Sequence, residues 1–493
     1  MSHIGIDIGT SSVKVALVAD DDRLVAYASR PLAVSRPQPG YSEQDPEHWW
    51  AAVVACMDEL HAGNARAMAE TAGIGLSGQM HGATLLDAAG DVLRPCILWN
   101  DGRSGAECDA LARAVPALEA IAGNRAMAGF TAPKLLWLRT HEPAVHAATA
   151  KVLLPKDWLR LRLSGEHATD ASDASGTLWL DVAGRCWSAP LLDACGLGIG
   201  HMPRVVEGSQ VAGRLRASVA DRWGLPAGIA IAGGGGDNAA SAVGIGAVRP
   251  GQGFVSLGTS GVVFLADAVH RPNPAAAVHA FCHALPGLWH RMSVMLSATS
   301  AVRWACRLLG MADEAALLDA AGTLDVLRRA SAPLFLPYLG GERTPHADAD
   351  AKGVLFGLEH AHDAAAVAYA VVEGVTFGLL DGWRALAPAP GSVASLTLVG
   401  GGARSALWGR MLASAFGVPL RIGSGSVTAG ALGAARLAWL ADGARFDEVC
   451  RSVDAERTHE PEPSEAALLH ERHARFRALY PALAPSFRVD GSP

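Results

Sequence analysis

The stretch Gly233-Gly234-Gly235-Gly236-Asp237-Asn238 lies near the middle of the chain and decides how the rest of it is interpreted. It follows the apolar run 229–232, which predicts a buried strand. Four consecutive glycines supply no side chains to a core, but they let the backbone approach another group closely. The stretch therefore predicts a cleft between two halves of the chain, with Asp237 placed there as a base.

Length and composition predict two large domains, because 493 residues are too many for a single core. The formal net charge is −7 without long runs of one sign, which argues against nucleic acid and membrane surfaces as partners. Neither a secretory signal nor an apolar stretch of about 18 residues is present, so no membrane span is predicted. The eight cysteines lack CxxC spacing, which favours free thiols and a cytoplasmic location.

Two segments share one pattern: a predicted strand, a Gly-Thr-Ser turn and a second strand. The turns are Gly9-Thr10-Ser11 and Gly258-Thr259-Ser260. Backbone N–H groups and hydroxyls in such turns can hold phosphate. The turns lie 258 − 9 = 249 residues apart, about half the chain. A repeat on this scale predicts two related domains that face each other across a cleft and hold one polyphosphate from both sides.

Asp7 lies immediately before the first turn. A carboxylate would repel a phosphate bound there unless a cation lay between them, and Mg²⁺ is the cation that suits both groups. The alternative is an ordinary hairpin turn with a capping acid.

Polar residues between glycines follow another predicted strand, at 74–76. Gln79, Met80 and His81 are suited to contact a polyol at this strand end, although a structural role for the histidine is the commoner case. Asp101 and Arg103 follow a further strand and either contact substrate or form an ion pair that holds their loop.

A helix is predicted from about residue 131 to 141, with Thr131 as its N-cap. Lys134 in this helix either neutralises ligand charge or is solvated on the helix face.

The segment from Gly400 to Ser405 joins a predicted strand at 395–399 to a helix that runs through residue 412. Glycines permit close approach of a ligand, and a helix N-terminus favours its polar or negative groups. No Gly-Lys-Ser or Gly-Lys-Thr follows at the spacing of a Walker loop, and the dinucleotide fingerprint does not match either. This segment predicts the nucleoside end of an ATP site. Residues 425–439 and 461–480 predict closing helices.

Together these segments resemble the FGGY family of carbohydrate kinases. The resemblance rests on Asp7-Ile-Gly-Thr, Gly258-Thr-Ser-Gly, Gly400-Gly-Gly-Ala-Arg-Ser and Asp237, and it covers nearly the whole chain. Residues 129–141 resemble one family pattern and 353–374 most of another, although Ala366 stands where the family has a polar residue.

The resemblance implies an α/β fold of two ribonuclease-H-like domains, as in the actin and sugar-kinase superfamily. Each domain is expected to carry a mixed five-stranded sheet, and the two face each other across a cleft. We expect residues 1–247 to form the sugar-binding domain and residues 248–493 the ATP-binding domain.

Within the family, the loops at Met80-His81, Asp101-Gly-Arg103 and 336–345 resemble those of bacterial members that act on D-xylulose. This implies ATP-dependent phosphorylation of D-xylulose at O5, with Asp237 as general base, and suggests a homodimer. The alternatives are kinase activity on another ketose or alditol, such as ribulose, ribitol or arabitol, or a non-catalytic actin-like nucleotide-binding module.

The expected site residues fall into three groups. Asp237 and Asp7 are the catalytic carboxylates, and Asp7 holds Mg²⁺ through water. The sugar contacts are Gln79, Met80, His81, Asp237 and Asn238. The ATP contacts are Gly9, Thr10, Ser11, Gly258, Thr259, Ser260, Gly401, Gly402 and Ser405.

Overall fold

The chain forms two seven-stranded mixed sheets, as seen in a computed structural model that describes residues 1–423, 428–451 and 455–487. The first sheet has the order Val211–Arg214, Ala230–Ala232, Thr71–Gly78, Ser2–Ile8, Ser12–Ala19, Leu24–Pro31, and Gly235–Gly236 also pairs with Thr71–Gly78. The second has the order His279–Cys282, Trp289–Met295, Gly261–Asp267, Gly253–Leu257, Leu396–Val399, Leu420–Gly423, Ala455–His459. The predicted α/β class with two related sheets is confirmed.

The number of strands per sheet differs from the prediction of five, because two short strands extend each sheet. In the first sheet these are Val211–Arg214 and Gly235–Gly236, and in the second they are His279–Cys282 and Ala455–His459. Such strands carry too few alternating apolar residues to be found by periodicity, and a pair of glycines carries no side-chain pattern at all.

The predicted internal repeat is present in both sheets. Ser2–Ile8 pairs antiparallel with Ser12–Ala19, and Gly253–Leu257 pairs antiparallel with Gly261–Asp267. The first strand of each hairpin also pairs in parallel with a later strand, which is Thr71–Gly78 in one sheet and Leu396–Val399 in the other. Each Gly-Thr-Ser turn therefore lies at the same edge of its sheet.

The described helices of nine or more residues pack on these sheets or on one another. They are Pro46–Ala69, Gly105–Ala114, Thr131–His141, Pro155–Ser164, Asp237–Ile245, Thr299–Leu309, Glu314–Gly322, Ala364–Leu386, Ala406–Phe416, Ala429–Ala441 and Pro463–Leu483. The last two agree with the predicted closing helices, although residues 425–427 of the first prediction lie outside the described residues. Ala364–Leu386 is long and apolar enough to cross a membrane, but 83% of its most apolar window is buried within the protein, as expected for a core helix.

The helix Ala429–Ala441 belongs to the second half of the chain but packs on the first sheet with almost no side chain between them. A Cβ on Gly5 would lie 1.8 Å from the carbonyl oxygen of Ala431, and one on Gly75 would lie 1.7 Å from that of Ala434. The same helix packs equally closely on Asp237–Ile245, where a Cβ on Gly433 would lie 1.8 Å from the carbonyl oxygen of Ala240. Glycine is therefore required at these contacts, and this helix joins the two halves of the chain.

Candidate active site

Asp237 is the first residue of the helix Asp237–Ile245, at the point where the glycine stretch ends. Gly235–Gly236 pairs with the end of Thr71–Gly78, and Gly234 has a φ of +77°. A Cβ on Gly234 would lie 2.1 Å from the carbonyl oxygen of Leu76. Glycine is needed here because the backbone lies too close to the neighbouring strand for a side chain. The glycine stretch thereby places Asp237 at the junction between strand and helix.

Two buried side chains hold this glycine stretch from behind. The guanidinium of Arg160 donates to the carbonyl oxygens of Ala232, at 3.4 Å, and Gly233. The hydroxyl of Ser172 accepts the N–H of Gly236 at 3.1 Å. The backbone before Asp237 is therefore fixed by side chains that do not reach the cleft.

These side chains belong to a fully buried ionic cluster. The ammonium of Lys156 lies 2.6 Å from Asp157, 2.8 Å from Asp170 and 3.1 Å from Asp173. Burial raises the pKa of Asp173 well above its usual value, which favours its neutral form. Arg160 joins the cluster through Asp157, and removing one partner would leave a buried charge uncompensated.

A cavity of about 250 Å³ opens in front of Asp237. It is lined by Met80, His81, Trp99, Asp237, Asn238, Ser256, Ser260, Val262, His279, Met292, Val294 and Arg343. Four of the five residues expected to contact sugar line this cavity, although they come from distant parts of the chain. Ser260 of the second turn reaches the same cavity, so sugar and phosphate regions adjoin.

Gln79 is the expected sugar residue that the structure places elsewhere. Its side chain is buried, its amide nitrogen donates to Gln44 at 2.8 Å, and its amide oxygen accepts from Thr10 at 3.0 Å. Gln79 thus connects the first turn to the loop that carries Met80 and His81, behind the cavity wall.

The carboxylate of Asp237 has one oxygen occupied and one available. Its Oδ1 accepts the backbone N–H of Asn238 at 2.7 Å and the side-chain amide of Asn238 at 2.9 Å. Its Oδ2 accepts no hydrogen bond from residues in the described ranges. Burial, followed by repulsion from Asp7, raises the pKa of Asp237 to about 6. Asp237 can therefore act as a base near neutral pH.

His81 is neutral, and its tautomer follows from its partner. Its Nδ1 lies 2.6 Å from the carbonyl oxygen of Gly176, which can only accept, so Nδ1 carries the proton. Burial, together with the charges of Lys134 and Arg343, lowers the pKa of His81 to about 3. In this tautomer Nε2 is an acceptor for a hydroxyl group.

The backbone of His81 is held in an uncommon conformation, with a φ of +69°. Its carbonyl oxygen accepts the ammonium of Lys134 at 2.8 Å and the hydroxyl of Thr131 at 3.1 Å. Lys134 is fully buried, which lowers its pKa to about 7, and it also donates to Gly129. Neither role suggested for Lys134 is correct, because its buried ammonium holds this loop. The prediction of Thr131 as N-cap is also wrong: Thr131 is the first helical residue, and its hydroxyl bonds the carbonyl oxygen of His81 instead of capping the helix.

Asp101 and Arg103 form a buried ion pair that holds their loop. The guanidinium of Arg103 bonds both carboxylate oxygens of Asp101, at 2.9 and 2.7 Å, and Asp101 also accepts the N–H of Ser42 at 2.6 Å. Of the two roles suggested by the sequence, the structure favours the ion pair.

The first turn combines a carboxylate with a hydroxyl that is already hydrogen-bonded. Asp7 is buried, and its Oδ1 accepts the hydroxyl of Ser77 at 2.9 Å. Burial raises the pKa of Asp7. The hydroxyl of Thr10 donates to Gln79 and accepts from the indole N–H of Trp99 at 2.9 Å. Gly9 donates its N–H to Ser12 within the turn, and Ser11 is exposed.

The residues at the first turn fit Mg²⁺ bound mainly by water and phosphate. The pKa of Asp237 responds to the charge of Asp7, so the two carboxylates share a region that a divalent cation would stabilise. No cluster of three or more histidine, cysteine or acidic side chains suited to a metal occurs in the described part of the chain. A site with one carboxylate agrees with the preference of Mg²⁺ for retaining water.

The second turn is fixed to the start of a helix. The carbonyl oxygen of Gly258 accepts the N–H and the hydroxyl of Thr299 at 3.0 and 2.8 Å. The carbonyl oxygen of Thr259 accepts the hydroxyl of Ser300 at 2.9 Å, while the side chain of Thr259 is exposed. This turn is therefore positioned by Thr299–Leu309.

A larger cavity, of about 810 Å³, lies beside this helix. Gly401, Gly402 and Ser405 line it, together with residues of Thr299–Leu309 and Glu314–Gly322. Ser405 caps the helix Ala406–Phe416 by accepting the N–H of Trp408 at 3.3 Å. The three residues expected at the nucleoside thus line one cavity that is large enough for such a ligand.

Sequence reasoning missed seven residues that line the smaller cavity: Trp99, Ser256, Val262, His279, Met292, Val294 and Arg343. Most are single residues within apolar strands or next to them, where nothing in the local pattern distinguishes them from core. Arg343 gave a signal, because it lies in the 336–345 loop that resembles those of bacterial members acting on D-xylulose.

Two family models match the chain. The N-terminal domain of the FGGY family of carbohydrate kinases matches residues 2–244, and its C-terminal domain matches residues 253–441. The chain therefore belongs to the FGGY family of carbohydrate kinases. It is a phosphotransferase whose substrates are a sugar and ATP.

Individual relatives are similar over nearly the whole length. The chain is 49% identical to the xylulose kinase of Escherichia coli (strain K12), a match that covers 98% of this chain and 99% of the relative. The solved structure of a "xyloylose kinase" from Brucella ovis has a TM-score of 0.95 at 49% identity, covering 98% of this chain and 100% of that one. The structure of xylulose kinase from Rhodospirillum rubrum has a TM-score of 0.90 at 31% identity, covering 99% and 100%.

Proposed function

We propose that this chain transfers the γ-phosphoryl group of ATP to O5 of D-xylulose. The observation that carries the proposal is Asp237, which has an available carboxylate oxygen in a cavity shared with Met80, His81 and Asn238. The 49% identity to a xylulose kinase supports the choice of sugar.

In the proposed reaction Asp237 acts as the general base. The O5–H bond breaks as O5 forms a bond to the γ-phosphorus, the bond from that phosphorus to the β–γ bridging oxygen breaks, and ADP leaves. A carboxylate cannot ionise an alcohol in advance, but it does not need to when the transition state is loose and the proton moves late. The proton passes to Oδ2 of Asp237, while Asn238 holds Oδ1.

The remaining expected residues divide between sugar and nucleotide. His81 accepts a sugar hydroxyl at Nε2, and Met80 packs on the carbon chain. Asp7 would hold Mg²⁺ through water, and the bound cation would neutralise charge on the phosphates. The phosphates are held by Gly9, Thr10, Ser11, Gly258, Thr259 and Ser260. The nucleoside is held by Gly401, Gly402 and Ser405.

Closure of the cleft on the sugar excludes water from Asp237. We therefore expect weak hydrolysis of ATP without sugar, because water then reaches the base in the open cleft. The cytoplasmic location, the homodimer and the boundary between residues 247 and 248 remain predictions.

The test measures ADP release with Mg-ATP and a panel of D-xylulose, ribulose, ribitol, arabitol and xylitol. We expect the highest kcat/KM for D-xylulose, and a product whose phosphorus couples to the C5 protons in NMR. Higher activity on ribulose or an alditol would replace D-xylulose as the substrate but retain the mechanism. Failure of every sugar to stimulate ADP release would favour a non-catalytic nucleotide-binding module.

A further inference from the structure

Arg343 brings a positive charge into the sugar cavity, and the proposed reaction does not use it. Its side chain lines the cavity beside His81, Trp99 and His279. Its guanidinium forms no hydrogen bond or ion pair with any residue in the described ranges. A guanidinium has five N–H donors and remains protonated even when burial lowers its pKa. Its donors are therefore available to a ligand.

The neighbouring Glu342 does not occupy the donors of Arg343. Its Oε1 accepts the backbone N–H groups of Leu296 at 3.0 Å and Arg343 at 2.7 Å. Burial raises the pKa of Glu342 to about 8, against the opposing attraction of Arg343. The two side chains attract each other through their charges but form no ion pair, so the guanidinium donors stay available.

The backbone around Arg343 is held firmly. The hydroxyl of Thr344 donates to the carbonyl oxygen of Ala277 at 2.9 Å and accepts the N–H of Val294 at 3.1 Å. The N–H of Thr344 donates to the carbonyl oxygen of Val294 at 3.1 Å. The point from which the side chain of Arg343 enters the cavity is therefore fixed.

Arg343 lies at the end of the cavity away from Asp237. A Cβ on Gly129 would lie 3.9 Å from Nη2 of Arg343 and 2.3 Å from the carbonyl oxygen of Trp99, which places the guanidinium near the Trp99 wall. Its charge lowers the pKa of His81 and His279. The pKa of Asp237, by contrast, is shifted by burial, Asp7 and Asn238, and Arg343 is not among the groups that act on it. A sugar whose reacting hydroxyl meets Asp237 therefore presents its other end to Arg343.

If the proposed function is correct, the chemistry of the substrate identifies the group on the sugar that faces Arg343. In a 2-pentulose, O5 is the hydroxyl that closes the furanose ring on C2, so only the acyclic form has O5 free to react. That form has a carbonyl group at C2. A carbonyl oxygen accepts hydrogen bonds and donates none, and a guanidinium donates and accepts none.

We propose that Arg343 donates to the C2 carbonyl oxygen of the acyclic sugar and thereby selects a 2-ketose over the corresponding alditol. An alditol places a hydroxyl at this position, whose own proton needs an acceptor that the guanidinium cannot supply. Arg343 is thus a specificity-determining residue, at the end of the sugar opposite the reacting hydroxyl. Hydrogen bonds to charged groups contribute a factor of about 10 to 100 in affinity.

The test compares D-xylulose with xylitol, which differs from it by reduction of C2. Dissociation constants are measured by calorimetry for wild type, Arg343→Met and Arg343→Lys. We expect Arg343→Met to weaken D-xylulose binding about 10- to 100-fold and xylitol binding less than about threefold. Arg343→Lys should fall between, because it retains the charge but loses the planar pair of donors.

Equal loss of affinity for both sugars would overturn the proposal, since it would mean that Arg343 only shapes the cavity. Unchanged D-xylulose binding would overturn it as well. The melting temperature and the KM for ATP serve as controls for folding. The two proposals fail in different ways. If the proposed function is wrong, wild type does not phosphorylate D-xylulose. If only this inference is wrong, wild type is active and the ratio of D-xylulose to xylitol affinity is the same in Arg343→Met as in wild type.

Discussion

The two Gly-Thr-Ser turns have the same local structure but different surroundings. Both join the strands of an antiparallel hairpin whose first strand pairs in parallel with a later strand. The hydroxyl of Thr10 bonds Gln79 and Trp99, whereas the side chain of Thr259 is exposed and its carbonyl oxygen binds the start of a helix. The repeat determines the backbone, and residues outside the repeat determine how each turn is used.

The turns also differ in charge. Two residues before the glycine, the first turn has Asp7 and the second has Ser256. Only the first turn therefore has an acid at this position, and the charge of Asp7 contributes to the raised pKa of Asp237. This asymmetry places the proposed Mg²⁺ at the first turn.

The largest effect is expected from removing the base that lies between the two turns. Asp237→Asn should lower kcat about 10²- to 10⁴-fold, the usual contribution of general-base assistance. It should also raise the melting temperature, because an ionised Asp237 destabilises the fold at neutral pH. The rise of its pKa from 3.8 to about 6 corresponds to at most about 3 kcal/mol. Coupled ADP release and calorimetry measure the two effects.

A surface aspartate provides the control for this substitution. Asp193→Asn alters an exposed residue, so neither quantity should change appreciably. Activity of Asp237→Asn within tenfold of wild type would remove Asp237 from the role of base.

The charge difference between the turns is tested by Asp7→Asn and Ser256→Ala. Loss of the Asp7 carboxylate should raise the Mg²⁺ concentration for half-maximal activity about 10- to 100-fold, as when a metal's outer hydrogen-bond partners are removed. Ser256→Ala should leave this concentration unchanged. Titration of activity with Mg²⁺ at fixed ATP measures both, and an equal response of the two variants would contradict the asymmetry.

The pH profile sharpens the link between the first turn and the base. Asp237 must be ionised to accept a proton, so kcat/KM for the sugar should rise tenfold per pH unit at acid pH and level off above about pH 6. The contribution of Asp237 to the free energy of unfolding changes with pH in the opposite direction, because a raised pKa means that the folded state is favoured when Asp237 is protonated. This contribution is complete below pH 3.8 and is lost as the pH rises through about 6.

Asp7→Asn should move the midpoint of the activity profile to lower pH, since it removes the repulsion from Asp7. Rate profiles of both proteins between pH 4.5 and 8 would show the shift. A midpoint unchanged by Asp7→Asn would mean that burial alone sets the pKa of Asp237.

The smallest effects are expected from valine at the two threonines. Thr10→Val leaves the indole N–H of Trp99 without its acceptor, so it should lower the free energy of unfolding by about 1–3 kcal/mol. Thr259→Val replaces an exposed side chain, so stability should change by less than about 0.5 kcal/mol while the KM for ATP rises a few-fold. Thermal unfolding and ATP kinetics measure both, and equal destabilisation by the two substitutions would show that the turns are interchangeable.

Much of the architecture follows from local patterns in the sequence. The two hairpins, the glycine stretch and the Met80-His81 loop were found because strands alternate or run apolar and glycines interrupt them. The resemblance to a known family then joined Asp237 to the sugar loop, although they are 237 − 81 = 156 residues apart.

The direction of a side chain, by contrast, depends on partners that no local pattern reveals. Gln79 precedes Met80 on one loop, yet it turns away from the cavity because Thr10 and Gln44 bond both ends of its amide. Lys134 has the spacing of a solvated helical residue, but two carbonyl oxygens hold it in the interior. Arg343 could be noticed as polar, but not assigned to the cavity.

The contact between Ala429–Ala441 and the first sheet has a consequence for how the protein is made. The helix Asp237–Ile245 is the last element of the first half to be synthesised, and Ala429 follows it by 429 − 245 = 184 residues. At about 5–20 residues per second, a ribosome needs about 10–40 s to bridge that interval. Throughout this time the glycine-lined face of the first sheet lacks the helix that covers it, so we expect chaperones or transient contacts within the nascent chain to protect it until residues 429–441 emerge.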